Sequence, residues 1–138
     1  EKGIQAVRDF LTSRGLNLTS LTITNGAGLA RDERVSARLL ADILQAAAHS
    51  VYAPEFISSL SLGGMDATTR GRLHAHEGNR RMHVKTGRID HVAALAGYVH
   101  GHNGKNYVMV MLLNTENAHR GPGQELEAAV TRWVQTLP

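Results

Sequence analysis

Apolar positions recur at helical spacing at both ends of the chain and at strand spacing between them. Ile4, Val7, Phe10 and Leu11 predict a helix over 1–14, closed by Gly15. The β-branched stretch 18–24 (LTSLTIT) predicts a short strand. Asn25-Gly26-Ala27-Gly28 reads as a turn. Ser36 is placed to cap a helix reaching about His49, with Leu39, Leu40, Ile43, Leu44 and Ala47 on one face. Pro54 opens a shorter helix carrying Phe56, Ile57 and Leu60, and Gly63-Gly64 ends it. Asp66 is expected to cap one turn through Arg72.

The period then changes. Residues 83–89, 92–100 (VAALAGYVH) and 107–113 (YVMVMLL) predict three strands. Asn103-Gly104 between the last two is a strong hairpin signal. Pro122 precedes a closing helix with Leu126, Ala129, Val130, Trp133, Val134 and Leu137 on one face. Helices first, an antiparallel three-stranded meander, then a terminal helix lying across the sheet make an α+β layout. Residues 1–138 read as a single piece without linker, repeat or low-complexity stretch.

Composition narrows the function. Hydrophobic residues form 42% of the 138 and charged residues 20%, enough for a packed core. The absence of cysteine excludes disulfides, thiolate metal sites and a cysteine nucleophile. The net charge is +3, and the basic residues are scattered without a nucleic-acid-binding signature, so no nucleic-acid partner is expected. No apolar run approaches the roughly 20 residues of a membrane span. The histidine pairs His74/His76 and His100/His102 do not form a zinc ligand pattern, and neither a metal nor another cofactor is expected.

The sharpest local feature is Lys85-Thr86-Gly87 on a predicted strand. Lysine supplies a cation for a substrate carboxylate, threonine a hydroxyl donor, and glycine a place where a substrate backbone meets no Cβ. Alone, the tripeptide fits better a lysine on a solvated strand beside a turn-prone Thr-Gly. Its context adds to it. Residues 24–31 (TNGAGLAR) resemble a DGSGLSR-type segment, 59–68 (SLSLGGMDAT) an SLPLAGxDGT segment, and 81–99 (RMHVKTGRIDHVAALAGYV) an RxKTGTLxxVxxLAGYV stretch. These segments occur in this order in the D-alanyl-D-alanine carboxypeptidase/endopeptidase group of low-molecular-mass penicillin-binding proteins, which the chain resembles over roughly residues 1–115.

The resemblance implies a partial penicillin-binding-protein/β-lactamase-like transpeptidase fold. It implies periplasmic acyl transfer in which a serine attacks the D-Ala-D-Ala bond of peptidoglycan stem peptides, with β-lactams acylating the same serine. Lys85 and Thr86 would bind and orient substrate, Gly87 would allow close approach, the amide of Arg88 would complete an oxyanion hole, and Ile89 would line the cleft. The family usually has threonine where Arg88 stands, so a bulky cation is expected to enter the cleft. Ala67 replaces a family glycine. Neither S-x-x-K nor S-x-N occurs here. The chain is therefore expected to be the C-terminal segment of a transpeptidase domain, inactive alone, with sheet edges open to self-association. The alternative is a non-catalytic α+β module that binds a peptide or a partner at an open edge. Both Asn-Gly pairs are candidate deamidation positions.

Overall fold

The computed structural model describes residues 1–28, 30–63 and 81–138. The expected turn at Asp66–Arg72, His74, His76 and most of the SLGGMDAT stretch lie outside the described residues.

The elements run α1 (Lys2–Ser13), α2 (Ala37–Ala48), α3 (Ala53–Ser59), β1 (Ser61–Leu62), β2 (Met82–Ile89), β3 (Val92–His100), β4 (Asn106–Asn114) and α4 (Gly121–Gln135). The strands form one antiparallel sheet in the order β1-β2-β3-β4. Register follows from two tight turns. Asp90-His91 joins β2 to β3 and pairs Ile89 with Val92; His91 takes a left-handed φ of 66° there. The predicted Asn103-Gly104 turn joins β3 to β4, with Gly104 at φ 80°. Gly101 N–H closes that loop by donating to Lys105 O at 2.8 Å.

Strand alternation gives the sheet two apolar faces. On one, Met82, Val84, Leu95, Val99 and Met109 pack with Val134 of α4, flanked by Tyr107, Met111, Val130 and Leu137. On the other, α2 lies against β4 and β3 and buries Leu39 and Leu44. Tyr98 fastens this layer. Its hydroxyl donates to Leu44 O at 2.6 Å, and its ring meets Phe56 edge-on at 6.5 Å. Burial pushes its phenol above the ordinary 10.0.

The caps agree with the reading of the sequence. Ser36 Oγ accepts from Leu39 N–H at 3.1 Å, while Gly15, at φ 76°, ends α1. Ser36→Ala is expected to destabilise the chain by about 1 kcal/mol, read as a lower denaturant midpoint at unchanged slope.

The structure corrects three expectations. Residues 18–24 form no strand; a lone bridge pairs Thr22 with Arg34. Local bonds interrupt the extension: Asn17 Oδ1 accepts from Thr19 N–H at 3.0 Å, and Leu18 O accepts from Leu21 N–H at 3.0 Å. The sheet has a fourth strand, β1, whose two residues are too few to carry a period. Finally, α4 turns only part of its apolar face inward: Val130, Val134 and Leu137 meet the core. It buries Gly123, Glu127, Thr131 and Gln135, spaced four apart, together with Val134, and leaves Leu126 44% and Trp133 63% exposed. The start of the helix is tight: a Cβ at Gly123 would stand 1.8 Å from Ala118 O in the preceding turn.

Candidate active site

Lys85, Thr86, Gly87, Arg88 and Ile89 occupy the second half of β2. Alternation places Lys85, Gly87 and Ile89 on the α2 side of the sheet, and Thr86 and Arg88 on the α4 side. The backbone alternates too. Gly63 N–H donates to Met82 O at 2.9 Å, so the even-numbered residues of β2 aim their N–H and C=O groups at the outer edge. β1 covers that edge only opposite His83 and Val84. Beyond Val84, no strand among the described residues pairs with it. Among the described residues, no strand therefore pairs with the main-chain groups of Thr86 and Arg88. Lys85 is exposed, and its Nζ donates to the outward Thr86 carbonyl at 2.6 Å.

Gly87 does not owe its identity to packing. A Cβ there would meet only Ala94 Cβ, at 3.4 Å. Arg88 corrects an expectation. With the Gln124 amide oxygen turned towards it, its Nη1 and Nη2 both donate to that oxygen at 3.0 Å. The side chain is thus drawn towards α4 rather than into the space beside Lys85, and only its amide remains at the edge.

Ile89, 46% exposed, helps wall a cleft of about 520 Å³ with Val92, Leu112, Arg31, Glu33 and Arg34. The reading of the sequence did not single out these two arginines or Gln124 as functional residues. Their signal was indirect: Arg31 ends TNGAGLAR, and Gln124 sits in the first turn of α4. Arg34 is partly committed, since its Nη1 donates to Arg31 O at 2.7 Å and Glu33 O at 2.8 Å. A separate concavity of about 250 Å³ between α1, α2 and α3 is walled by Phe10, Ile43, Tyr52 and Phe56. Arg14 covers the Phe10 ring at 5.1 Å. It offers an apolar wall and little chemistry; the edge of β2 offers a cation, outward amides and a carbonyl.

His100 and His102 do not converge. The His100 ring stacks edge-on against His83 at 6.0 Å and its Nδ1 contacts Asn106 Oδ1, whereas His102 N–H donates to Gln135 O. Among the described residues no group of three or more His, Asp or Glu side chains could hold a metal ion. No helix among them is long and apolar enough to cross a membrane.

The model of the D-Ala-D-Ala carboxypeptidase 3 (S13) family matches residues 1–137. The chain belongs to this family. It is 28% identical over 127 residues to a D-alanyl-D-alanine carboxypeptidase of Actinomadura, covering 88% of this chain and 23% of that protein. It is 25% identical over 114 residues to the D-alanyl-D-alanine carboxypeptidase DacB of Haemophilus influenzae, covering 81% of this chain and 24% of that one. The chain thus spans about a quarter of the length of these curated relatives.

The fold of this S13 family chain recurs in solved structures. Penicillin binding protein 4 (dacB) from H. influenzae superposes with a TM-score of 0.86 at 22% identity, over 98% of this chain and 32% of that one. That protein has also been solved in complex with a β-lactam. A predatory endopeptidase from Bdellovibrio bacteriovorus, in complex with an immunity protein, superposes with a TM-score of 0.74 at 18% identity, over 94% and 36%. These likenesses establish the transpeptidase-like fold of the four-stranded sheet and its flanking helices.

Proposed function

We propose that this chain is the C-terminal segment of the transpeptidase domain of a serine-type D-Ala-D-Ala carboxypeptidase/endopeptidase. It supplies the substrate-binding wall of the site and not the nucleophile. The observation that carries this reading is the second half of β2, with which no described strand pairs at the outer edge: the Thr86 and Arg88 main-chain groups face outward beside the exposed Lys85 ammonium.

An extended stem peptide pairs antiparallel with that edge, as a strand added to the sheet. Lys85 attracts the terminal carboxylate, and the Thr86 hydroxyl donates to it over the strand edge. Gly87 leaves room for the peptide backbone. A serine from outside this chain then attacks the carbonyl of the D-Ala-D-Ala bond. As the tetrahedral intermediate forms, the Arg88 N–H donates to the developing oxyanion. The bond to the terminal D-alanine breaks, an acyl-enzyme remains, and water releases it. A β-lactam follows the same course and stalls at the acyl stage. This chemistry belongs to the periplasm, on peptidoglycan peptides, and needs no metal or other cofactor.

A second reading is a non-catalytic peptide-binding module. It is favoured by the arginine at position 88, where the family resemblance leads to a threonine. In either reading the edge of β2 is also where copies of the isolated chain would self-associate.

A fluorescent penicillin separates the two. The complete protein is expected to be labelled covalently, and the isolated chain to remain unlabelled. Labelling of the isolated chain would place a nucleophile within these residues and sink the assignment of the wall alone. A folded complete protein that takes no label would leave the binding module as the better reading.

A further inference from the structure

We propose that Asn25 is a site of spontaneous deamidation in the folded protein, and that Asn103, in an identical Asn-Gly dipeptide, is protected. The inference is independent of the acyl-transfer reading.

The two sites form a matched pair. Both asparagines are exposed, and each is followed by a glycine with left-handed φ, 72° at Gly26 and 80° at Gly104. A Cβ at either glycine would meet nothing within 4 Å, so neither attacking nitrogen is crowded. Both side-chain oxygens accept a main-chain hydrogen bond two residues on: Asn25 Oδ1 from Ala27 N–H at 2.7 Å, Asn103 Oδ1 from Lys105 N–H at 2.9 Å. That bond polarises the Cγ=O group and supports the negative charge that collects on the oxygen during attack.

They differ at the leaving group and at the nucleophile. Asn103 Nδ2 donates to Tyr107 OH at 2.7 Å and to Leu137 O at 2.9 Å. Its side chain cannot swing towards the following nitrogen without breaking both bonds. Asn25 Nδ2 makes no hydrogen bond among the described residues. Gly104 N–H is committed to a carbonyl, Gly101 O, at 3.1 Å. Gly26 N–H instead faces a carboxylate, Glu33 Oε1, at 3.3 Å, a group able to take up its proton.

The reaction balances without any partner except water. Gly26 N gives up its proton and bonds to Asn25 Cγ. The Cγ–Nδ2 bond breaks and ammonia leaves, closing a five-membered succinimide. Water then opens the ring at one of its two carbonyls, leaving aspartate or isoaspartate. Either product adds a carboxylate beside Asp32 and Glu33, in the loop that leads to Arg31 of the cleft. The aspartate form carries the acid that precedes the first glycine in the DGSGLSR-type segment. The isoaspartate form lengthens the main chain by one methylene.

The test follows the folded chain during warm incubation at mildly alkaline pH. Trypsin, cutting after Arg14 and Arg31 and after Arg88 and Lys105, puts the two sites on separate peptides, 15–31 and 89–105. Fragment-ion masses distinguish Asn25 from Asn17, and an isoaspartyl methyltransferase with S-adenosylmethionine labels the isoaspartate formed. Two hydrogen bonds of ordinary net strength correspond to roughly a thirtyfold difference in rate, with Asn25 faster. In urea the two rates are expected to converge. Tyr107→Phe is expected to speed Asn103 and leave Asn25 unchanged. Equal rates in the folded chain, a faster Asn103, or an Asn25 that converts only when unfolded would overturn the proposal.

Discussion

Gly97→Ala is expected to unfold the chain rather than to trim an activity. Gly97 lies mid-strand in β3, between Val84 of β2 and Met109 of β4. Its φ of 155° belongs to a region that side chains avoid, and a Cβ there would stand 2.1 Å from His83 O and 2.8 Å from Val84 Cα. Both contacts are main chain, so no rotamer change relieves them. Relief requires β2 and β3 to part, and the residues that would part include Met82, Val84, Leu95 and Val99, all fully buried. The cost is about 3 kcal/mol or more, from overpacking and backbone strain together. For a domain of this size that lowers the melting temperature by roughly 10 °C or abolishes the cooperative transition. Gly87→Ala on the neighbouring strand is the control. Its Cβ would meet Ala94 Cβ at 3.4 Å, ordinary contact, and the melting temperature should stay close to that of the parent. A Gly97→Ala chain that melts like the parent would mean that the sheet can absorb the clash.

The contrast between these glycines also marks where the sequence was legible. The K-T-G pattern points to Gly87, while the glycine that the sheet depends on lies in the apolar run VAALAGYVH and has no motif to announce it. Features encoded over a few residues could be read directly: the Ser36 cap, the Gly15 stop, the hairpin at Asn103-Gly104 and the strands on either side of it. Features decided by a distant neighbour could not. The stretch 18–24 has the composition of a strand, but it finds one bridge to Arg34 and bonds to itself elsewhere. On α4 only Val130, Val134 and Leu137 of the apolar stripe meet the core, while Glu127 and Thr131 are buried beside them and Trp133 is left outward. The same limit applies to the site. Lys85 and the outward Arg88 amide follow from strand placement. Arg31 enters the cleft wall, and Gln124 captures Arg88, only once separate elements have been brought together.

Lys85→Ala in the complete protein carries the largest expected effect on function. The lysine is exposed, and its described bond is to the adjacent Thr86 carbonyl, so little folding energy depends on it. Thermal stability should therefore remain near that of the parent. The acylation rate by a penicillin should fall by roughly a hundredfold to a thousandfold, the scale seen when one preorganised electrostatic contact to a reacting group is lost. Lys85→Arg adds a second discrimination. It keeps the charge but replaces a compact ammonium on a four-carbon stem with a broader planar fork. If Lys85 serves only as a distant positive charge, the arginine variant recovers most of the rate. If its ammonium must sit against the strand edge, within reach of both the Thr86 carbonyl and the substrate carboxylate, the arginine variant stays slow. Gly87→Ala then separates binding from folding. Its methyl group fits against Ala94 within the chain, so a slow but stable Gly87→Ala protein would show that the crowding comes from the ligand lying along β2. Wild-type acylation in both Lys85→Ala and Gly87→Ala would remove the edge of β2 from the mechanism and return the K-T-G tripeptide to the status of a solvated strand.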